Sequence, residues 1–239
     1  YWTSSRTPIY SFMFTVPLFL IYEIGIILTS SDNLFAVRNG ADALMRQILV
    51  STLDLSTFGT NGLYLMGVVF FIGFITVYFL QRAFWDQISL NNDFLIVMFI
   101  ESILWAIILF FLMSNAQILL MLTRGKILAQ QVTLAVGAGI YEEMLFRVIL
   151  IYVISSILGF VFLWGKKLKQ VMAMVIAAGI FSLFHFMGDF GDSFSFDIFM
   201  VRFLAGIVLG LLYFARGFGI TAWTHSIYDL IIVTRITTQ

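Results

Sequence analysis

Seven stretches of about 20 mostly apolar residues limit what this chain can fold into; they lie near 8 to 29, 61 to 81, 94 to 119, 142 to 164, 170 to 187, 197 to 215 and 219 to 235. Hydrocarbon offers no partner for backbone N–H and C=O groups, so segments of this kind cross a bilayer only as helices or as a closed barrel. No period-2 alternation recurs at about 10 residues, which argues against the barrel. Composition agrees: 61% of the residues are hydrophobic and 11% charged, against about 45–50% and about 25% in soluble domains. Thirteen Lys and Arg balance thirteen Asp and Glu without a charge run, so nucleic-acid binding by counterion release is excluded. The absence of Cys removes disulfides, thiolate nucleophiles and Cys-based metal sites.

The expected fold class is all-α, a polytopic transmembrane bundle. The apolar stretch from Ile127 to Ile140 runs into the fourth span without a charged break and reads either as part of it or as a separate, partly inserted helix, giving seven or eight spans. Between the first two spans, about 33 to 50, Leu34, Val37, Ala41, Leu44, Met45, Ile48 and Leu49 recur at helical spacing, with Arg38, Asp42 and Arg46 on another face. This predicts an amphipathic helix at the interface, a ledge sealing the bundle rather than a substrate gate. Gly206-x3-Gly210 permits close helix packing, and Trp2, Trp85, Trp164 and Trp223 read as interfacial or lipid-facing mass.

The first residues, Tyr1-Trp2-Thr3, show no positively charged signal-peptide region. Cations divide almost evenly between the two sides, so the positive-inside rule does not orient the chain, while Asp189 and Asp192 weakly mark their loop as external. Without repeats or linkers, residues 1–239 read as one integral membrane domain, with helices over 1–125 and a core carrying the charged motifs over 126–239. The expected location is a multi-pass position in a cell membrane, such as a bacterial inner membrane.

Ionisable groups inside spans cost several kcal/mol unless paired or solvated, so each is a site hypothesis. They are Glu142, Glu143, Arg147, His185, His225 and Asp229, and they include both histidines of the chain. Arg147 follows Glu143 by one turn and pairs with it, leaving Glu142 about 100° away and available. His225 and Asp229, also at i, i+4, project from one face of the last span, a spacing suited to two metal ligands or two groups aimed at one oxyanion. The short Lys166 to Lys169 turn returns His185 to the level of Glu142, and the last span brings Asp229 to the same side. Such a set supports two routes to amide hydrolysis. A carboxylate and a His around a water form a general-base assembly; a divalent metal such as zinc, held by His185, His225 and a carboxylate (Asp229 or Glu142), would instead lower the water's pKa.

Glu142-Glu143-x3-Arg147, Phe181-x3-His185 and His225-x3-Asp229, in this order on successive late spans, resemble the CPBP family of intramembrane proteases, the CAAX-protease and bacteriocin-processing group. The resemblance covers about residues 130 to 235. It implies that Glu142 is the general base working with His185 on the water, that Glu143, Arg147 and Phe181 support the site, and that His225 with residue 229 stabilises the oxyanion or shares a metal. Prenyl-protein members carry Asn at the position of Asp229. An Asn amide donates to an oxyanion and an ionised Asp does not, so Asp229 is expected to be protonated, to orient His225, or to bind a metal. The implied substrate is a membrane-tethered peptide or protein.

Two other functions use the same residues. A transporter would run the buried Glu, His and Asp set as a proton or cation relay, though the inverted repeats of many transporters are missing. A non-catalytic scaffold would hold a partner membrane protein complex. Of the remaining charges, Glu23 and Glu101 are expected to be satisfied by a hydroxyl or water, and Asp197 and Arg202 to tie the sixth of the seven spans to a headgroup or neighbour.

Overall fold

The computed structural model describes residues 1–29, 38–52, 63–81, 91–113, 128–188 and 191–237, and every regular element among them is helical. After a single 3-10 turn, Ser4–Arg6, they are α1 (Pro8–Thr29), α2 (Gly40–Thr52), α3 (Leu63–Gln81), α4 (Asn92–Leu112), α5 (Leu128–Phe162), α6 (Lys166–Phe184), α7 (Phe196–Arg216) and α8 (Phe218–Thr237). Five of them, α1, α4, α5, α6 and α7, are long and apolar enough to cross a membrane. The second and last predicted spans are also helices, α3 and α8. The chain is thus the all-α integral membrane protein its apolar runs predict.

Local chemistry starts and stops these helices. Pro8 opens α1, where its missing N–H costs nothing. Asn91 caps α4 by accepting the Asp93 N–H at 2.9 Å. Gly217, at φ 82°, separates α7 from α8 as a single residue; a side chain there would strain this left-handed backbone.

The stretch from 128 is no separate insertion. It continues as one 35-residue helix, α5, roughly 50 Å long at about 1.5 Å per residue and so longer than the hydrocarbon is thick. Its middle, Ala138–Leu150, winds as a π-helix. Such wide turns are rare and concentrate at functional sites, and this one carries Glu142 and Glu143.

Helix α8 forms the axis, packing against α1, α4, α5 and α7. One apolar core joins Leu18, Tyr22 and Ile26 of α1 to Met45 of α2, Ile140 of α5 and Ala222 of α8. Another joins Leu109 of α4, Leu209 of α7 and Tyr228 of α8. Gly206 and Gly210 lie against Ala178 and Met174 of α6, so that pair packs helices within the chain. Trp223 departs from its expected interfacial role: its indole donates to the Phe14 carbonyl at 2.6 Å and its ring stacks on Phe14. Outward faces carry bare Phe111, Phe160 and Leu28, as lipid-facing surfaces do.

The charged face of α2 also differs from expectation. Asp42 and Arg46 are buried while Ile48 is half exposed, so the stripe of Arg38, Asp42 and Arg46 turns into the protein. The cause is Glu23 of α1, whose carboxylate takes Arg46 at 2.9 Å, with Arg38 at 3.8 Å. Asp42 accepts from Arg38, Arg46 and the Tyr22 hydroxyl. Burial opposes the charge on Arg38, yet the hydrogen bond and attraction of Asp42 outweigh it, and the Arg38 pKa is raised. Leu34 and Val37 lie outside the described residues, as does Trp85.

Candidate functional site

The π turn of α5 points its two glutamates in different directions. Glu143, with no exposed side-chain surface, forms an ion pair with Arg147 at 3.1 Å and accepts a hydrogen bond from His225 Nδ1 of α8 at 2.7 Å, both on Oε1. The Arg147 guanidinium rests on the Phe181 ring, 4.4 Å from its centre, a cation–π contact that adds to the neutralisation. Phe181 also meets His185 and His225 edge-on, so it is the apolar spacer around which the charged groups are arranged.

Glu142 turns the other way. Its Oε1 accepts from Asn39 Nδ2 at 2.8 Å, and its Oε2 faces His185 Nε2 at 3.8 Å. That gap is too long for a direct hydrogen bond and suits a bridging water. His185 ends α6, and its Nδ1 lies 2.9 Å from the Phe181 carbonyl. A carbonyl only accepts, so Nδ1 carries the proton, and in the neutral ring Nε2 is an acceptor.

On α8, His225 Nε2 lies 3.6 Å from Asp229 Oδ2. His225 is therefore oriented chiefly by Glu143, the shorter contact, with Asp229 on the opposite side of its ring. Glu142, His185, His225 and Asp229 line one cavity of about 230 Å³, walled by Phe181, Val201, Ala205, Leu209 and Tyr228. The space holds several waters, or one water and part of a peptide.

Asn39 and Arg202 were not assigned to the site from sequence. Arg202 lines the cavity and pairs with Asp192 at 2.5 Å; Asp192 in turn donates its N–H to the His185 carbonyl at 3.0 Å. The neighbour expected for Arg202 is thus the loop that braces His185. The rule that intramembrane ions mark sites would have flagged Arg202. Nothing in the spacing joins Asn39 to Glu142.

The early carboxylates are paired as well as hydroxyl-bonded. Tyr141 donates to Glu23 at 2.9 Å beside the Arg46 pair, and Glu101 takes Arg216 and the Tyr1 hydroxyl, each at 2.5 Å. As the side chains lie, no three His, Asp or Glu among the described residues gather as ligands around one ion. His225 Nδ1 is committed to Glu143 and His185 Nδ1 to a carbonyl.

A helical membrane bundle with a cavity onto which two carboxylates and two imidazoles open defines an integral membrane protein with ionisable groups gathered at one buried site. Residues 124–231 match the family model described as type II CAAX prenyl endopeptidase Rce1-like, and this segment is a domain of the CPBP/CAAX protease family. The kind of function that family carries is that of a membrane protease. Comparison with the curated proteins and with the solved structures finds no match.

Proposed function

We propose that the chain is an intramembrane endopeptidase that hydrolyses a peptide bond of a membrane-tethered substrate, with Glu142 as general base. The observation that carries this reading is the 3.8 Å gap between Glu142 Oε2 and His185 Nε2 at the cavity wall. Both atoms are acceptors. A water between them donates one hydrogen to each and keeps a lone pair for a carbonyl carbon.

As the water oxygen bonds to the carbonyl carbon, its proton passes to Glu142 Oε2 and the carbonyl electron pair moves to oxygen. His225, carrying both ring protons, donates Nδ1–H to Glu143 and Nε2–H to the developing oxyanion. Glu143 holds the ring and Arg147 holds Glu143, while Asp229, 3.6 Å from the same Nε2, favours the imidazolium by its charge. When the tetrahedral species collapses, the C–N bond breaks and Glu142 returns its proton to the leaving amine. Every proton move is thus assigned to the chain's own side chains.

The test is cleavage of a membrane-tethered peptide by purified protein in liposomes, with products identified by mass spectrometry. Glu142→Ala and His185→Ala are expected to abolish cleavage while leaving the fold intact. Cleavage by both variants at the parental rate sinks the proposal, and His-dependent proton flux without cleavage replaces it with a relay.

A further inference from the structure

We propose that Asn39, from the N-terminal half of the chain, is the positioning residue that fixes the Glu142 carboxylate, an inference that rests on Glu142 being the base. The Asn39 side chain is locked at both ends. Its Oδ1 accepts the Ala41 N–H at 2.9 Å, so Nδ2 is the end left to meet Glu142 Oε1, at 2.8 Å. Its backbone N–H donates to the Tyr22 hydroxyl at 3.1 Å, and that hydroxyl donates to Asp42 at 2.9 Å. Asp42 is in turn held by Arg38 and Arg46, and Arg46 by Glu23 of α1. The inward charged stripe of α2 thereby becomes the anchor of one amide. With Oε1 pinned, the rotamer of Glu142 is set and Oε2 is the oxygen presented to His185. Asn39 lies outside residues 124–231, which match the family model, so the domain is completed by a helix the match does not include.

Asn39 has a second, merely structural task as the cap of α2, and the two tasks separate by substitution. Asn39→Ser keeps an oxygen for the Ala41 N–H but is too short to reach Glu142. Asn39→Asp keeps a strong cap and sets an oxygen against the Glu142 carboxylate. In purified full-length protein we expect Asn39→Ser to retain the parental unfolding temperature and KM while kcat falls about tenfold to a hundredfold, the worth of a hydrogen bond to a charged group. Asn39→Asp is expected to fall further and, because it sets two buried carboxylates against each other, to lose some stability as well. Parental kcat in either folded variant overturns the proposal. Labelling of Glu142 by dicyclohexylcarbodiimide, read by mass spectrometry, needs no turnover; we expect it to quicken severalfold in Asn39→Ser as the carboxylate is released. An unchanged labelling rate overturns the positioning role even where the parent cleaves nothing, whereas a parent that cleaves nothing while labelling quickens overturns the protease reading alone.

Discussion

Adding one methyl at Gly139 tests whether the close approach of α5 and α8 sets the geometry of the site. Gly139 lies one turn before Glu143, and a Cβ built there overlaps Ser226 Oγ and the Ala222 carbonyl and stands 2.8 Å from the Ser226 nitrogen. Two of these are backbone atoms of α8, which a rotamer change cannot move. Ordinary contact begins near 3.4 Å, so α8 must retreat by about 1 Å at the Ala222 carbonyl. Ser226 adjoins His225, so the 2.7 Å bond to Glu143 would stretch past the normal range. A misplacement of about 1 Å costs roughly a hundredfold in rate, so Gly139→Ala should lower kcat by about tenfold or more. Overpacking costs about 1–3 kcal/mol, a fall of about 2–4 °C in Tm for each kcal/mol in a chain of this length. The assay is peptide cleavage beside thermal unfolding, with Gly179→Ala as control because that glycine faces open space. Parental kcat and Tm in Gly139→Ala would refute the argument that this contact spaces the catalytic groups.

Arg147→Met should destabilise by about 3 kcal/mol, because it removes one partner of a fully buried carboxylate; Glu143→Gln in the same chain should restore part of the loss. A cost near the roughly 0.6 kcal/mol average for polar contacts in bilayers would mean that water or His225 already satisfies Glu143. Incubation with a chelator such as EDTA should leave the cleavage rate unchanged, since the proton transfers are assigned to side chains; loss restored by zinc would establish a metal route instead.

The spans and the three charged motifs were legible in the sequence because a bilayer makes each intramembrane ion conspicuous. The separation of Glu142 from the Glu143–Arg147 pair follows from helical spacing alone, and the distances around each glutamate agree with it. The facing of α2 was not legible. Arg38, Asp42 and Arg46 on one stripe read as a water-facing surface until Glu23, from another helix, is seen to complement them. The bond of Asn39 to Glu142 spans 103 residues, a separation at which no periodicity operates. Nor does apolar patterning distinguish the π turn of α5 from an ordinary helical one.

The central claim, that Glu142 takes the proton of an attacking water, is tested most directly by the kcat of Glu142→Gln on a tethered peptide in liposomes. The amide keeps the shape of the side chain and an oxygen for Asn39 Nδ2 while removing the base. Predicted is a fall in kcat of about a hundredfold or more, the usual worth of a general base, at parental Tm. Cleavage by folded Glu142→Gln at the parental rate would contradict it.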